Sequence, residues 1–142
     1  MKWAVTGGSG QLARTLTILL DKESYTYRSW DKSELDISKL ENMSTLIDYS
    51  PNVIVNCAAY TNVEKAEVEF AKANLINCEG AKNVALAAKK LRIPLIHISS
   101  DYVFSGHSQK PLTLDDERKP SSRYGESKLL GEKAIQEIWQ EK

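Results

Sequence analysis

A tyrosine and a lysine stand four residues apart near the carboxyl end of the sequence, in the stretch RYGESK at residues 123–128. On a helix, residues i and i+4 share a face, so the phenol of Tyr124 and the ammonium of Lys128 would point into the same space. A phenol has a pKa of about 10, and a neighbouring ammonium favours its ionised form. The pair could therefore be a proton donor tuned by a cation. The same spacing also occurs on ordinary exposed helices, so the other motifs have to decide.

A glycine-rich segment, VTGGSGQLA at residues 5–13, follows a short apolar run and precedes a helical pattern. Small residues at Gly7, Gly10 and Ala13 would let the backbone turn tightly, approach a diphosphate at the helix amino terminus and pack against the strand. The position after the first strand favours nucleotide binding. The alternative is a plain turn between a strand and a helix.

An aspartate, Asp31, follows the second apolar run, roughly 20 residues beyond the glycines, where a carboxylate can accept hydrogen bonds from the hydroxyls of an adenosine ribose. A carboxylate repels a 2′-phosphate, so Asp31 favours NAD over NADP. Lys32 and Arg28 lie close by in the sequence and could accommodate a phosphate. The alternative for Asp31 is a solvated loop residue.

Two further segments, NCAAYT at 56–61 and SSDYVFSG at 99–106, follow the third and fourth strand patterns. Ligands of an open α/β sheet bind beyond the carboxyl ends of its strands, so both segments would border a cofactor and a substrate. Ala58 and Ala59 are small enough for a cofactor to pass the backbone, or they only pack tightly. Ser99 and Ser100 are otherwise solvated turn residues.

These segments need a scaffold in which strands and helices alternate. Strand patterns cover residues 3–5, 24–30, 53–55 and 94–99, and helical patterns cover 12–20, 37–49, 69–91 and 122–140, with Ser38 as the expected cap of the second helix. Strands that alternate with helices predict one α/β domain, residues 1–142, with an open parallel sheet covered by helices.

Composition excludes several classes of protein. The 142 residues are 42% hydrophobic and 27% charged, and 19 basic side chains balance 19 acidic ones. A zero net charge gives no reason to expect a nucleic-acid or membrane partner. No apolar run approaches ~18 residues and no signal peptide is apparent, which favours a cytoplasmic protein. Cys57 and Cys78 are expected to be free thiols, no metal site is expected, and neither His97 nor His107 is given a role.

In this order and spacing, VTGGSGQLA, SELDIS, NCAAYTNVEKAE, NCEGAKNVA, IHISSDYVFSG and RYGESKLLGEKA closely resemble the RmlD family of dTDP-4-dehydrorhamnose reductases, within the extended short-chain dehydrogenase/reductases. The resemblance implies a Rossmann-type doubly wound sheet of strand order 3-2-1-4-5, which ends before the last strands and the C-terminal substrate region. Two residues depart from the family pattern, because Ala13 replaces a glycine and Ser100 replaces a threonine.

By the same resemblance, the catalytic residues are Ser100, Tyr124 and Lys128, and the cofactor is NADH or NADPH. The residues expected to bind it are Gly7, Gly10, Gln11, Leu12, Asp31, Asp36, Ile37, Ala58, Ala59, Tyr60, Thr61, Ser99, Tyr124 and Lys128. Those expected to contact the substrate are Ser100, Asp101, Tyr102 and Val103. Asn77 is expected to brace the fold and a water near Lys128.

The implied reaction is reduction of the 4-keto group of dTDP-4-dehydrorhamnose, or of a close nucleotide sugar, to make dTDP-rhamnose for surface polysaccharide. Two alternatives remain. The chain could be a non-catalytic dinucleotide-binding regulatory subunit of the methionine adenosyltransferase type, or an inactive fragment that lacks the substrate region. Missing strands would leave an apolar sheet edge uncovered, which predicts self-association into a homodimer.

Overall fold

The computed structural model describes residues 1–140 of the chain, so the last two positions of the predicted domain 1–142 lie outside the described residues. Its centre is a sheet of four parallel strands in the order β2-β1-β3-β4. The strands are β1 (Lys2–Thr6), β2 (Thr26–Trp30), β3 (Val53–Asn56) and β4 (Leu95–His97). Parallel pairing requires a crossover after each strand, and the helices supply it.

Six α-helices connect and follow the strands within residues 1–140. They are α1 (Gln11–Lys22), α2 (Met43–Tyr49), α3 (Val63–Ala66), α4 (Phe70–Asn74), α5 (Ala81–Leu91) and α6 (Arg123–Gln140). Single 3₁₀ turns lie at Leu40–Asn42 and Asp101–Val103, and a π-helical turn at Leu75–Gly80 joins α4 to α5.

The predicted α/β class and the parallel sheet are confirmed, with one difference in the number of strands. The predicted series 3-2-1-4-5 becomes the observed order when its third strand is removed and the remaining strands are renumbered along the chain. The described residues contain no counterpart of that third strand. Between β2 and β3 the chain forms a 3₁₀ turn and α2 instead. This segment lacks a β-branched run of the kind that forms a strand, so the first half of the fold has two strands.

The core has two layers because successive residues of a strand point to opposite faces of the sheet. Ala4 packs with Ile54 and Val84 on the face covered by α2 and α5. Its neighbour Val5 packs with Ala13 and Leu20 of α1 on the other face. All of β3 is buried, as a continuous apolar run predicts for a parallel strand covered on both sides.

Two local predictions were wrong. The helix expected at 37–49 begins later, and Ser38 does not cap it, because the Ser38 hydroxyl donates to the carboxylate of Asp36 at 2.7 Å instead. The helix expected at 69–91 is interrupted by the π-helical turn, which redirects the side chains of that turn.

No described helix is both long enough and apolar enough to span a membrane.

Candidate functional site

A cleft of about 530 Å³ lies beyond the carboxyl ends of the strands. This is the place where an open α/β sheet binds ligands. The cleft is bordered by the segments that follow all four strands and by α6. Its lining residues are Gly7, Ser9, Gly10, Gln11, Leu12, Ala13, Lys32, Leu35, Asp36, Ile37, Cys57, Ala58, Ala59, Thr61, Ile76, Ile98, Ser99, Tyr124 and Lys128.

The glycine turn after β1 forms one wall of the cleft. Gly7 has φ +72°, and a Cβ there would lie 2.7 Å from the backbone nitrogen of Ala58, so only glycine fits. The amide of Gly10 donates to the carbonyl of Gly7 at 2.8 Å and closes the turn. Gly10 is also the N-cap of α1 and provides no side-chain cap. The first amides of α1 therefore remain available to an anion such as a diphosphate.

Beyond β2, the structure places Lys32 in the cleft lining and Asp31 outside it. One carboxylate oxygen of Asp31, Oδ1, accepts hydrogen bonds from the Ser33 amide at 2.8 Å, the Ser33 hydroxyl at 2.6 Å and the Glu34 amide at 3.2 Å. These hydrogen bonds from Ser33 and Glu34 lower the pKa of Asp31. The carboxylate thus organises its own turn, which motif spacing could not show.

Asp36 and Ile37 line the same end of the cleft. The carboxylate of Asp36 accepts from the amide of Ser38 at 3.1 Å. Burial would raise the pKa of Asp36, but the hydrogen bonds from Ser38 and the charges of Lys32 and Lys39 lower it overall. Asp36 is therefore a fixed, ionised acceptor beside the apolar side chain of Ile37, a combination suited to a heteroaromatic base with exocyclic donors.

After β3, the predicted residues separate into two groups. Ala58, Ala59 and Thr61 line the cleft. Tyr60 does not, because its side chain is only 9% exposed and its hydroxyl donates to the carboxylate of Glu69 at 2.8 Å. The two alanines leave space in the wall, while Tyr60 packs into the protein behind them.

A buried asparagine holds this segment against α6. Asn77 lies in the π-helical turn and is 1% exposed. Its Oδ1 accepts from the amide of Tyr60 at 2.8 Å, and its Nδ2 donates to the carbonyl of Tyr60 at 3.0 Å and to the hydroxyl of Ser127 at 2.9 Å. Asn77 therefore braces the fold, as predicted, by joining the wall after β3 to the helix that carries Tyr124 and Lys128.

Tyr124 and Lys128 both line the cleft from α6, so the pair is not an exposed surface pair. Lys128 is 2% exposed, and its ammonium donates to the carbonyl of Ile98 at 2.6 Å. Burial lowers the pKa of Lys128 to about 8, against the opposing charge of Glu132. The ring of Tyr124 meets that of Tyr102 edge to face, with 5.5 Å between centroids.

A polar row that the sequence analysis missed crosses the sheet beneath the cleft. Thr6, Asn56 and His97 are the last residues of β1, β3 and β4 and pair in register. Thr6 donates to Asn56 Oδ1 at 2.5 Å, and Asn56 Nδ2 faces His97 Nδ1 at 3.0 Å. Because the amide nitrogen is a donor, the His97 proton lies on Nε2, which finds no hydrogen-bond partner among the described residues. Burial first, and then the charge of Lys128, lowers the pKa of His97 to about 4.

The segment after β4 brings only part of its predicted residues to the cleft. Ser99 lines the cleft and donates to the carboxylate of Glu132. Ser100 lies outside the lining, and its hydroxyl accepts from the amide of Tyr102 at 3.2 Å and donates to Asp101 at 3.3 Å. Asp101 and Tyr102 are exposed, whereas Val103 is 3% exposed and packs in the interior.

The described residues contain no group of three or more His, Cys, Asp or Glu side chains that could hold a metal ion. The polar groups of the cleft are instead open backbone amides, hydroxyls, the single carboxylate of Asp36 and the ammonium groups of Lys32 and Lys128. This donor set fits a large anionic nucleotide better than a cation.

Comparison with known proteins identifies the family. The family model described as RmlD substrate binding domain matches residues 1–142. The chain belongs to the RmlD family. A relative from Streptomyces griseus, named dTDP-4-dehydrorhamnose reductase, is 38% identical over 138 residues, which are 96% of this chain and 45% of the relative. The chain thus spans about half the length of the curated relatives that it matches.

Solved structures of RmlD reductases share the fold. A dTDP-4-dehydrorhamnose reductase from Clostridium acetobutylicum superposes with a TM-score of 0.93 at 37% identity, over 97% of this chain and 50% of the other. The enzyme of the same name from Bacillus anthracis, solved in complex with NADP, superposes with a TM-score of 0.92 at 36% identity, over 96% of this chain and 49% of the other.

Proposed function

We propose that this RmlD protein uses NADH or NADPH to reduce the 4-keto group of dTDP-4-dehydrorhamnose, or of a close nucleotide sugar, and so makes dTDP-rhamnose for surface polysaccharide. The observation that carries the proposal is the position of Tyr124 and the buried ammonium of Lys128 in one cleft with the glycine turn. A proton donor and an anion site in one cleft suit a dinucleotide-dependent reduction of a carbonyl. Relatives and solved neighbours named dTDP-4-dehydrorhamnose reductase support it.

The cleft residues fit a nicotinamide dinucleotide along its length. Its diphosphate would lie at the amino terminus of α1, against Gly7 and Gly10, with Gln11 and Leu12 beside it. Its adenosine would lie between Lys32, Asp36 and Ile37. Its nicotinamide end would lie against a set of residues on the other side of the turn, namely Ala58, Ala59, Thr61, Ser99, Tyr124 and Lys128. The bound cofactor supplies the hydride.

Within this arrangement, Tyr124 is the proton donor to the oxygen of the reduced carbonyl. Lys128 keeps its proton at neutral pH, because burial lowers its pKa only to about 8. Its positive charge lies in the same cleft as the phenol and would stabilise the negative charge that proton transfer leaves on it. Ser100 donates a second hydrogen bond to the same oxygen after its hydroxyl turns from Asp101, its partner in the structure.

The relatives are about twice as long as the matched segment, which supports separate regions for cofactor binding and for substrate binding in the complete enzyme. We place cofactor binding and the Ser100, Tyr124 and Lys128 set in residues 1–142, and most of the sugar-nucleotide pocket in the region that follows the matched half of the relatives. Asp101 and Tyr102 are exposed, Tyr102 contacts Tyr124, and both remain candidates for the substrate side. On this proposal, the 142 residues bind the dinucleotide in the cytoplasm and self-associate through the edge strand β4.

The test is reduction of dTDP-4-dehydrorhamnose by the protein that includes the C-terminal region. Oxidation of NADH or NADPH, assayed separately, should depend on the sugar, and dTDP-rhamnose should be recovered as product. A folded protein that binds dinucleotide and shows no sugar-dependent oxidation would refute the proposed substrate. Parallel assays with other 4-keto nucleotide sugars would then identify the class of sugar that it does reduce.

A further inference from the structure

The carboxylate of Glu132 uses both of its oxygens, although the proposed reaction gives it no role. Oε1 accepts from the hydroxyl of Ser99, which lines the cleft directly after β4. Oε2 forms an ion pair with Arg118 at 3.0 Å, and Arg118 belongs to the polar segment between the 3₁₀ turn and α6. The Glu132 side chain is 18% exposed. One carboxylate therefore fastens two separate segments to α6.

Glu132 also follows Lys128 by one helical turn, so the two side chains share a face of α6. Lys128 is almost fully buried, and an isolated buried ammonium is strongly unfavourable. The titratable groups that face it are His97 from β4, and Tyr124 and Glu132 from α6. Burial lowers the pKa of His97 to about 4, so His97 carries no charge there at neutral pH, and Glu132 is the acidic side chain of this set.

We propose that Glu132 is a positioning residue, which fixes Ser99 in the wall of the cleft and supplies the negative charge that keeps Lys128 protonated beside Tyr124. The role of Glu132 in catalysis rests on the proposed function, but its effect on Lys128 does not. Arg118 forms an ion pair with the same carboxylate, so the positive charge of Arg118 partly cancels the negative charge that Glu132 presents to Lys128.

The experiment is an NMR titration of the lysine side chains in the 142-residue chain, with the Lys128 resonance identified by Lys128→Met. Glu132→Gln keeps an oxygen that can accept from Ser99 but removes the charge. It should therefore lower the titration midpoint of Lys128 by roughly 1 pH unit. Glu126→Gln is the matched control, since Glu126 lies on the same helix and pairs with Arg123 at the surface. It should leave the midpoint unchanged.

An unchanged Lys128 midpoint in folded Glu132→Gln would overturn the proposal. If this variant fails to fold, Arg118→Gln gives a second test, because Arg118 is exposed and its removal frees Glu132 to act on Lys128. The midpoint should then rise, and a fall or no change would overturn the proposal. Titration of the wild-type chain with NADH and with NADPH separates the two claims, because binding of neither dinucleotide refutes the proposed function and leaves the measured midpoints intact.

Discussion

The amide of Asn77 donates a 2.9 Å hydrogen bond to the hydroxyl of Ser127, which in turn donates to the carbonyl of Tyr124 at 2.7 Å. The same side chain pairs with both backbone groups of Tyr60. One buried amide thus fixes the distance between the wall after β3 and the helix that carries Tyr124 and Lys128. A Cβ at Gly131 would lie 2.2 Å from the carbonyl of Asn77, so α6 can approach this closely only with glycine there.

Asn77→Ala should destabilise the chain by about 2–4 kcal/mol, because it leaves buried backbone groups of Tyr60 without partners. The free energy of unfolding is measured by urea denaturation followed by circular dichroism. The control is Asn52→Ala, whose exposed side chain accepts one hydrogen bond from the amide of Lys2. That variant should lose less than about 1 kcal/mol. Equal losses in the two variants would contradict the bracing role of Asn77.

His97 should make the stability depend on pH. Its pKa is about 4 in the folded chain, against 6.5 for the free side chain. Between these values the unfolded state binds the proton and the folded state does not, so stability falls as pH decreases from about 6.5 to about 4. The loss attributable to His97 is at most about 3 kcal/mol.

The measurement compares urea denaturation of the wild type and His97→Asn from pH 7 to pH 4. The carboxylates titrate in both proteins, so the difference between the two curves isolates His97. The difference should change steadily across this range. Parallel curves would show that His97 does not stay neutral inside the folded chain.

How far the sequence determines this site differs from one element to the next. The continuous apolar run of β3 by itself predicts a buried strand, and the structure has one. The four-residue spacing of Tyr124 and Lys128 predicts only a shared helix face, and the rest of the fold decides that this face lines the cleft. Tyr60 and Asp31 lie outside the cleft lining for a different reason. Their hydrogen bonds to Glu69 and to Ser33 decide where their side chains point, and spacing contains no information on those partners.

The polar row and the brace were harder to predict because they join residues distant in the sequence. Asn56 meets Thr6 and His97 only after three strands pair in register. Asn77 reaches Tyr60 and Ser127 because a π-helical turn interrupts a helix that the periodicity showed as continuous. The helix propensities of the residues do not predict such a turn, because tertiary packing imposes it.

Lys32, rather than Asp31, should determine the preference between the two dinucleotides. Lys32 lines the proposed adenosine end of the cleft. Its ammonium would form an ion pair with a 2′-phosphate bound there. Lys32→Gln should weaken NADPH binding by roughly 5-fold, the effect of an exposed ion pair of about 1 kcal/mol, and should leave NADH binding unchanged. Calorimetric titration of the folded chain gives both affinities.

Two variants serve as controls for this prediction. Lys39→Gln removes an equal charge from a residue outside the cleft lining, and Asp31→Ala removes the carboxylate that organises its own turn. Neither should change the ratio of NADPH to NADH affinity by more than about 2-fold. A larger change in Asp31→Ala than in Lys32→Gln would restore Asp31 as the residue that selects the cofactor.

Tyr124→Phe should lower kcat of the complete reductase by roughly 10²–10⁴-fold, because it removes the proton donor. Dinucleotide affinity should stay near that of the wild type. Tyr25→Phe is the matched control, since it preserves the edge-to-face contact with Trp3 and removes a hydroxyl outside the cleft. Comparable kcat values for Tyr124→Phe and the wild type would exclude Tyr124 as the acid.

The central claim is that the cleft between the glycine turn and α6 binds a nicotinamide dinucleotide. It is tested most directly by calorimetric titration of the 142-residue chain with NADH and with NADPH in reducing buffer, beside the Lys128→Met variant. We expect micromolar binding of one dinucleotide per chain, and weaker binding in the variant. A chain that is folded by circular dichroism and releases no heat with either dinucleotide would contradict it.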